Sequence, residues 1–224
     1  MGQLIQLLGY PRSGSTWVAE MLSLAAGPFV SEPFNMFQVG LGEHFTTKWL
    51  RGLDPPEGME FPYREIQERI KEKNMITGKF TEDENLHLTL KFLGEVEKEK
   101  IEKVKKRLKR VMMPCFDASL GDVGVFSDRF LKIIWVKLEG KGVWELQKKV
   151  DDMMKDLFLE EQRFMSHITI ARIKKVTNKT DFLSYLKNIK TKNIKFEVKE
   201  FFLKKSELMP EGPIYEDLER YKLK

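Results

Sequence analysis

Cysteine and histidine are almost absent from this chain, and each scarcity narrows its chemistry. Cys115 is the only cysteine in 224 residues, which excludes an intramolecular disulfide and points to a reducing compartment, the cytoplasm. Between Pro114 and Phe116 it reads as a small apolar filler rather than a nucleophile. The three histidines are His44, His87 and His167. None stands with Asp, Glu or Cys at metal-ligand spacing, so no metal is expected. No apolar run approaches the roughly 20 residues that cross a bilayer, so no membrane association is expected. The opening MGQLIQLLGY has neither a basic start nor a long apolar stretch, and a secretory signal is not expected. With 42% hydrophobic and 33% charged residues, the composition is that of a soluble globular protein, not a disordered chain.

Basic residues are scarce in the first quarter. Residues 1–60 hold three, Arg12, Lys48 and Arg51, against six acidic ones, a net of −3. The other 36 of the 39 basic residues and 28 of the 34 acidic ones fall in residues 61–224, a net of +8. Eight of the fifteen glycines lie in the first 60 residues, which close on the linker-like DPPEG of residues 54–58, since proline and glycine punctuate regular structure. A boundary is therefore expected near residue 60, dividing 1–60 from 61–224. A basic body suits a polyanionic partner such as RNA. A Lys/Glu-rich solvated surface has the same composition, so charge alone does not choose.

Beyond the boundary the periodicities alternate. Residues 63–73 (YREIQERIKEK), 98–111, 143–157 and 180–188 carry apolar residues at helical spacing. Residues 86–93 (LHLTLKFL), 130–138 (FLKIIWVKL), 167–173 (HITIARI) and 195–204 (KFEVKEFFLK) are rich in strand-favouring residues. Helices and strands joined by short links give an α+β or α/β domain of two similar halves.

Two of the three histidines sit in matching contexts, Leu86-His87-Leu88-Thr89-Leu90 and Ser166-His167-Ile168-Thr169-Ile170. On a strand, residues i and i+2 share a face. Each segment therefore presents an imidazole beside a hydroxyl, with Leu88, Leu90, Ile168 and Ile170 on the opposite, apolar face. One such pair is read as a strand histidine on a solvated face; two in the same local pattern point to chemistry. Imidazole titrates near neutral pH, so one ring can accept a proton while the other donates one. The hydroxyls of Thr89 and Thr169 can hold phosphate oxygens and stabilise the charge that builds up in a pentavalent transition state.

The duplicated HxTx, with Phe92-Leu93-Gly94-Glu95 after the first copy and Ala171-Arg172 after the second, resembles the two-histidine (2H) phosphoesterase superfamily. Within it the likeness is to the 2′-5′ RNA ligase/RNA 2′,3′-cyclic phosphodiesterase family, and it spans about residues 63–224. Glu84-Asn85, Gly124-Val125-Phe126, Lys205-Ser206-Glu207-Leu208 and Gly212-Pro213-Ile214-Tyr215-Glu216 add to it. The resemblance implies an α+β fold of two pseudo-symmetric lobes around a central cleft, each lobe contributing one HxTx strand. It implies metal-independent hydrolysis of an RNA 2′,3′-cyclic phosphate to a 2′-phosphate, with 2′-5′ joining of RNA ends in some members. Carried over, His87 is the acid that protonates the leaving 3′ oxygen and His167 the base that activates water; the two can exchange roles in ligation. Arg172 neutralises phosphate charge or is a surface arginine, and Phe126 stacks on a base or is a core phenylalanine. No cofactor is called for. RNA ends or cyclic nucleotides are the expected substrates, and a monomer is expected.

The amino-terminal part departs from that family, which opens directly on a strand. An apolar strand at residues 4–8, a loop running Gly9-Tyr10-Pro11-Arg12-Ser13-Gly14-Ser15-Thr16-Trp17, and a helix-like stretch from Val18 follow one another. Such a turn cradles phosphate with backbone N–H groups and the helix dipole. The loop, with Ser31-Glu32-Pro33-Phe34 beyond it, resembles the 5′-phosphosulfate loop of sulfotransferases over about residues 3–40, and assigns phosphate binding to Arg12, Ser13, Gly14, Ser15 and Thr16. A fused fragment is the preferred reading, with residues 4–8 filling the sheet position of the family's missing first strand. A PAPS-dependent sulfotransferase and an RNA-binding module are the alternatives to the phosphodiesterase.

Overall fold

The computed structural model describes residues 44–49, 62–191, 195–209 and 212–224. In chain order they form β1 (His44–Trp49), α1 (Pro62–Glu72), β2 (Ile76–Phe80), β3 (Leu88–Glu95), α2 (Lys98–Leu108), β4 (Phe116–Val125), β5 (Ile133–Glu139), α3 (Lys141–Met154), β6 (His167–Val176), α4 (Lys179–Asn188), β7 (Lys195–Val198), β8 (Glu200–Met209) and β9 (Gly212–Lys222). The phosphate-loop residues Arg12–Thr16 and the strand expected at 4–8 lie outside the described residues.

Helices form where apolar residues recur on one face. In α1, Tyr63, Ile66, Gln67 and Ile70 are buried, the i, i+3, i+4, i+7 stripe of a core-facing helix. Proline at its first position costs no hydrogen bond there. In α2 the buried pair is Val104 and Leu108, with Lys105, Lys106 and Arg107 in the last turn facing the negative end of the helix dipole. Helix α3 starts after Gly140, whose φ of +145° and close approach to the Asp117 carbonyl leave no room for a side chain. Helix α4 is capped by Asn178, whose Oδ1 accepts from the N–H groups of Thr180 at 3.1 Å and Asp181 at 3.3 Å. Asn178→Ala is expected to cost about 1 kcal/mol, the usual worth of such a cap, measured as a lower urea midpoint with unchanged slope. Cys115 packs against the core with its thiol directed at the Leu223 carbonyl, 3.7 Å away, as a filler should.

The strands form one curled, entirely antiparallel sheet in the order β7-β4-β5-β6-β3-β1-β8-β9, with β2 on β6. The order divides into two sets of four, each with its HxTx strand innermost. This is the two-lobed α+β architecture expected from the sequence. Among the described residues the two sets of strands pair with each other through Leu88 opposite Ile168.

Three findings correct the sequence reading. The sheet position between β3 and β8 is held by His44–Trp49, a strand not anticipated from the sequence. His44 opens this strand, and the sheet reaches back across the boundary expected near residue 60. The strand expected over 195–204 is two strands: β7 pairs with β4 in one lobe, and β8 with β1 and β9 in the other. The chain crosses between lobes at Lys199. Strands β2, β4 and β9 were not anticipated, because FDASLGDVGV and GPIYEDLERYK are too rich in Gly, Asp and Glu to look like strands; their partners, not their propensities, hold them.

Candidate active site

The bridge between Leu88 and Ile168 positions the site. Carried one residue to either side, the antiparallel register sets His87 opposite Thr169 and Thr89 opposite His167. Directly opposed residues lie on the same face with Cβ atoms about 5 Å apart. Leu88, Leu90, Ile168 and Ile170 are all at most 1% exposed and sit in the core, so the two imidazoles and two hydroxyls gather on the other face. The sequence supplied each pair; the bridge brings both into one patch.

Both rings are anchored alike. Nδ1 of His87 lies 2.6 Å from the Asn85 carbonyl, and Nδ1 of His167 lies 2.8 Å from the Met165 carbonyl. A carbonyl only accepts, so each Nδ1 carries the hydrogen and each Nε2 is left as the working nitrogen on the far side of its ring. An aromatic edge braces each ring as well. Tyr215 meets His87 at 5.3 Å and 68°, and Phe126 meets His167 at 4.8 Å and 87°. The two halves of the site are near-copies down to these contacts.

Each HxTx strand then carries a bulge. Thr47 and Lys48 of β1 pair with Lys91 and Thr89, leaving Leu90 as the extra residue; Ile134 and Trp135 of β5 pair with Ala171 and Thr169, leaving Ile170. A bulge adds one residue and shifts the alternation. Leu90 and Lys91 are therefore both buried, as are Ile170 and Ala171. Arg172 returns to the face of Thr169, since the two pair with Ile133 and Trp135, alternate residues of β5. Phe92 returns to the face of Thr89 by the same argument. The bulge in β6 is held from below: the Gln67 side-chain amide donates to the Ile170 carbonyl at 2.8 Å and to that of Thr81 at 2.9 Å.

Of the expected site residues, His87, Thr89, His167, Thr169 and Arg172 share one face. Phe126 is half-buried and stands edge-on to His167, also approaching Trp135 at 6.1 Å; it belongs to the site's wall rather than to the core cluster. Trp135, Phe92, Gln67 and Tyr215 received no role from the sequence. Trp135 lies flat on β4, where a Cβ on Gly124 would stand 2.5 Å from its ring, and a glycine beside a strand aromatic is the one signal that was there to read. Among the described residues no cluster of three or more His, Cys, Asp or Glu side chains is placed to hold a metal ion, and no helix is long and apolar enough to cross a membrane.

The chain is similar to known proteins in sequence and in fold. The model of the LigT-like phosphoesterase family matches residues 53–135 and 139–215. A Methanocaldococcus jannaschii protein named RNA 2′,3′-cyclic phosphodiesterase is 33% identical over 172 residues, covering 75% of this chain and 96% of its own. A protein of the same name from Methanothermobacter thermautotrophicus is 31% identical over 179 residues, covering 76% and 96%. Among solved structures, TT0787 of Thermus thermophilus superposes with a TM-score of 0.66 at 24% identity, over 80% of this chain and 97% of that one.

Proposed function

Since the chain belongs to the LigT-like phosphoesterase family, we propose that it hydrolyses RNA 2′,3′-cyclic phosphate ends to 2′-phosphates without a metal, as the names of its relatives indicate cyclic phosphodiesterase activity for them. The observation that carries this reading is the paired anchoring of two imidazoles through Nδ1, which leaves two Nε2 atoms and two threonine hydroxyls on one face.

In the proposed reaction, His167 Nε2 takes a proton from water as the water oxygen bonds to phosphorus. His87, starting as the imidazolium with Nδ1–H held by the Asn85 carbonyl, gives its Nε2 proton to the 3′ oxygen as the bond from phosphorus to that oxygen breaks. The two rings end with exchanged protonation states and reset through solvent. Thr89 and Thr169 donate to the non-bridging oxygens, and Arg172 offsets their charge. Phe126 and Tyr215 hold the imidazoles edge-on and restrict their rotation. Small cyclic nucleotides fit the same chemistry, with the protein acting as a cytoplasmic monomer. Residues 1–60 are read as a fused, sulfotransferase-like segment that supplies β1 to the sheet.

The test is hydrolysis of an RNA oligonucleotide ending in a 2′,3′-cyclic phosphate, in excess EDTA, with the product identified by its resistance or sensitivity to enzymes that act on 2′- or 3′-phosphates. A 2′-phosphate product at an EDTA-insensitive rate is expected. A 3′-phosphate would make the 2′ oxygen the leaving group and overturn the 2′-phosphate assignment, and no turnover would refute the reading.

A further inference from the structure

Among the described residues of β3 and β6, Lys91 is the only charged side chain that is fully buried, at 2% exposure, and the proposed reaction does not use it. The bulge at Leu90 turns it inward; at the matching place after the bulge of β6 stands Ala171. A methyl group therefore suffices there for the strand to form. A buried ammonium is costly unless it is paired and hydrogen-bonded, and Lys91 has partners of both kinds. It is paired with the Asp151 carboxylate on α3, and its Nζ donates to the Leu159 carbonyl at 2.7 Å. The other Asp151 oxygen accepts from the Glu161 N–H at 2.9 Å. One ion pair thus fastens residues 159 and 161 to the strand that follows His87.

Those residues belong to the connection from α3 to β6, and that connection ends at the other histidine. Met165 supplies the carbonyl that holds His167 Nδ1 at 2.8 Å. Ser166 is buried and donates to the Leu138 carbonyl at 2.6 Å. Phe164 is set edge-on against Trp144 of α3 at 5.0 Å. The segment is pinned at its entry by the Lys91–Asp151 pair and at its exit by Ser166, with the His167 anchor beside that exit.

We propose that Lys91 and Asp151 are a positioning pair for His167. They hold the segment from Leu159 to Met165 so that the Met165 carbonyl fixes the His167 ring and aims its Nε2 into the cleft. The strand of one histidine thereby sets the orientation of the other. The consequence for turnover rests on the phosphodiesterase reading; the orientation of the ring does not.

The experiment uses the full chain with Lys91→Met/Asp151→Leu, which replaces the buried charges by apolar groups of similar length and leaves the Leu159 carbonyl and Glu161 N–H unheld. Nitrogen NMR of the imidazoles is expected to show His167 in the Nδ1–H tautomer in the wild type and a mixture of tautomers in the variant. His87, anchored separately on Asn85, stays unchanged. On a cyclic-phosphate RNA end, kcat falls about tenfold with KM within about twofold, the pattern of a misaimed group rather than a lost binding contact. Asp151→Asn, which is near-isosteric and loses one of the two carboxylate hydrogen bonds, gives a smaller shift of the same kind and carries the comparison if the double variant does not fold. A wild-type His167 spectrum in either folded variant overturns the proposal. A wild type that fails to hydrolyse cyclic phosphates refutes the phosphodiesterase reading, while the spectra still decide the positioning.

Discussion

Hydrolysis of a 2′,3′-cyclic phosphate RNA end is expected to fall by roughly 10²-fold or more in His87→Ala and again in His167→Ala, the usual cost of removing a positioned acid or base. Both rings lie on one face of the sheet and are only half-buried, so circular dichroism and the unfolding midpoint should stay near wild type. The two losses act on one concerted proton transfer, so the double variant should be little worse than the poorer single one. The wild-type dependence of kcat/KM on pH should be bell-shaped, and each variant should lose one limb, the acid variant the alkaline limb and the base variant the acidic limb. That comparison also assigns the roles, because loss of the opposite limb would exchange His87 and His167. Either variant retaining activity within tenfold of wild type would remove that histidine from the reaction.

The second large effect is on stability. Asp151→Ala strands the Lys91 ammonium in the core without its carboxylate partner, and removes the acceptor of the Glu161 N–H. Breaking a buried pair from one side costs about 3–5 kcal/mol, whereas replacing both partners by apolar groups is often neutral. Urea unfolding of Asp151→Ala should show a loss of that size, largely recovered when Lys91→Met is added. A loss below about 1 kcal/mol would mean that water reaches the pair, because exposed pairs are worth no more than that.

Much of the site could be read from the chain. His87, Thr89, His167 and Thr169 follow from strand alternation and from the repetition of one local pattern, since which residues share a face is a property of a single extended segment. The helices at 62–72, 98–108, 141–154 and 179–188 follow equally from local spacing. Where the reading failed, the missing information lay on another strand. The strand HFTTKW between β3 and β8 was not anticipated, because most of its residues are polar. Polar residues are acceptable there because pairing on both sides satisfies the backbone whatever the side chains prefer. Strand β9, with its run of charges, escaped notice because its pairing with β8 rather than its composition holds it, and the contact of Tyr215 with His87 escaped with it.

By itself, then, the sequence determined the chemical inventory of this protein: two imidazole–hydroxyl pairs, the apolar faces that oblige them to point outward, and the helical stripes that cover those faces. Tertiary structure alone decided how that inventory is assembled. The bridge between Leu88 and Ile168 set the two pairs side by side, and the bulges at Leu90 and Ile170 sent Lys91 into the core and brought Phe92 and Arg172 to the face of the two threonines. A bulge exists only as a mismatch in count between two paired strands. Neither strand encodes it alone, and it arises when β1 and β5 meet their partners.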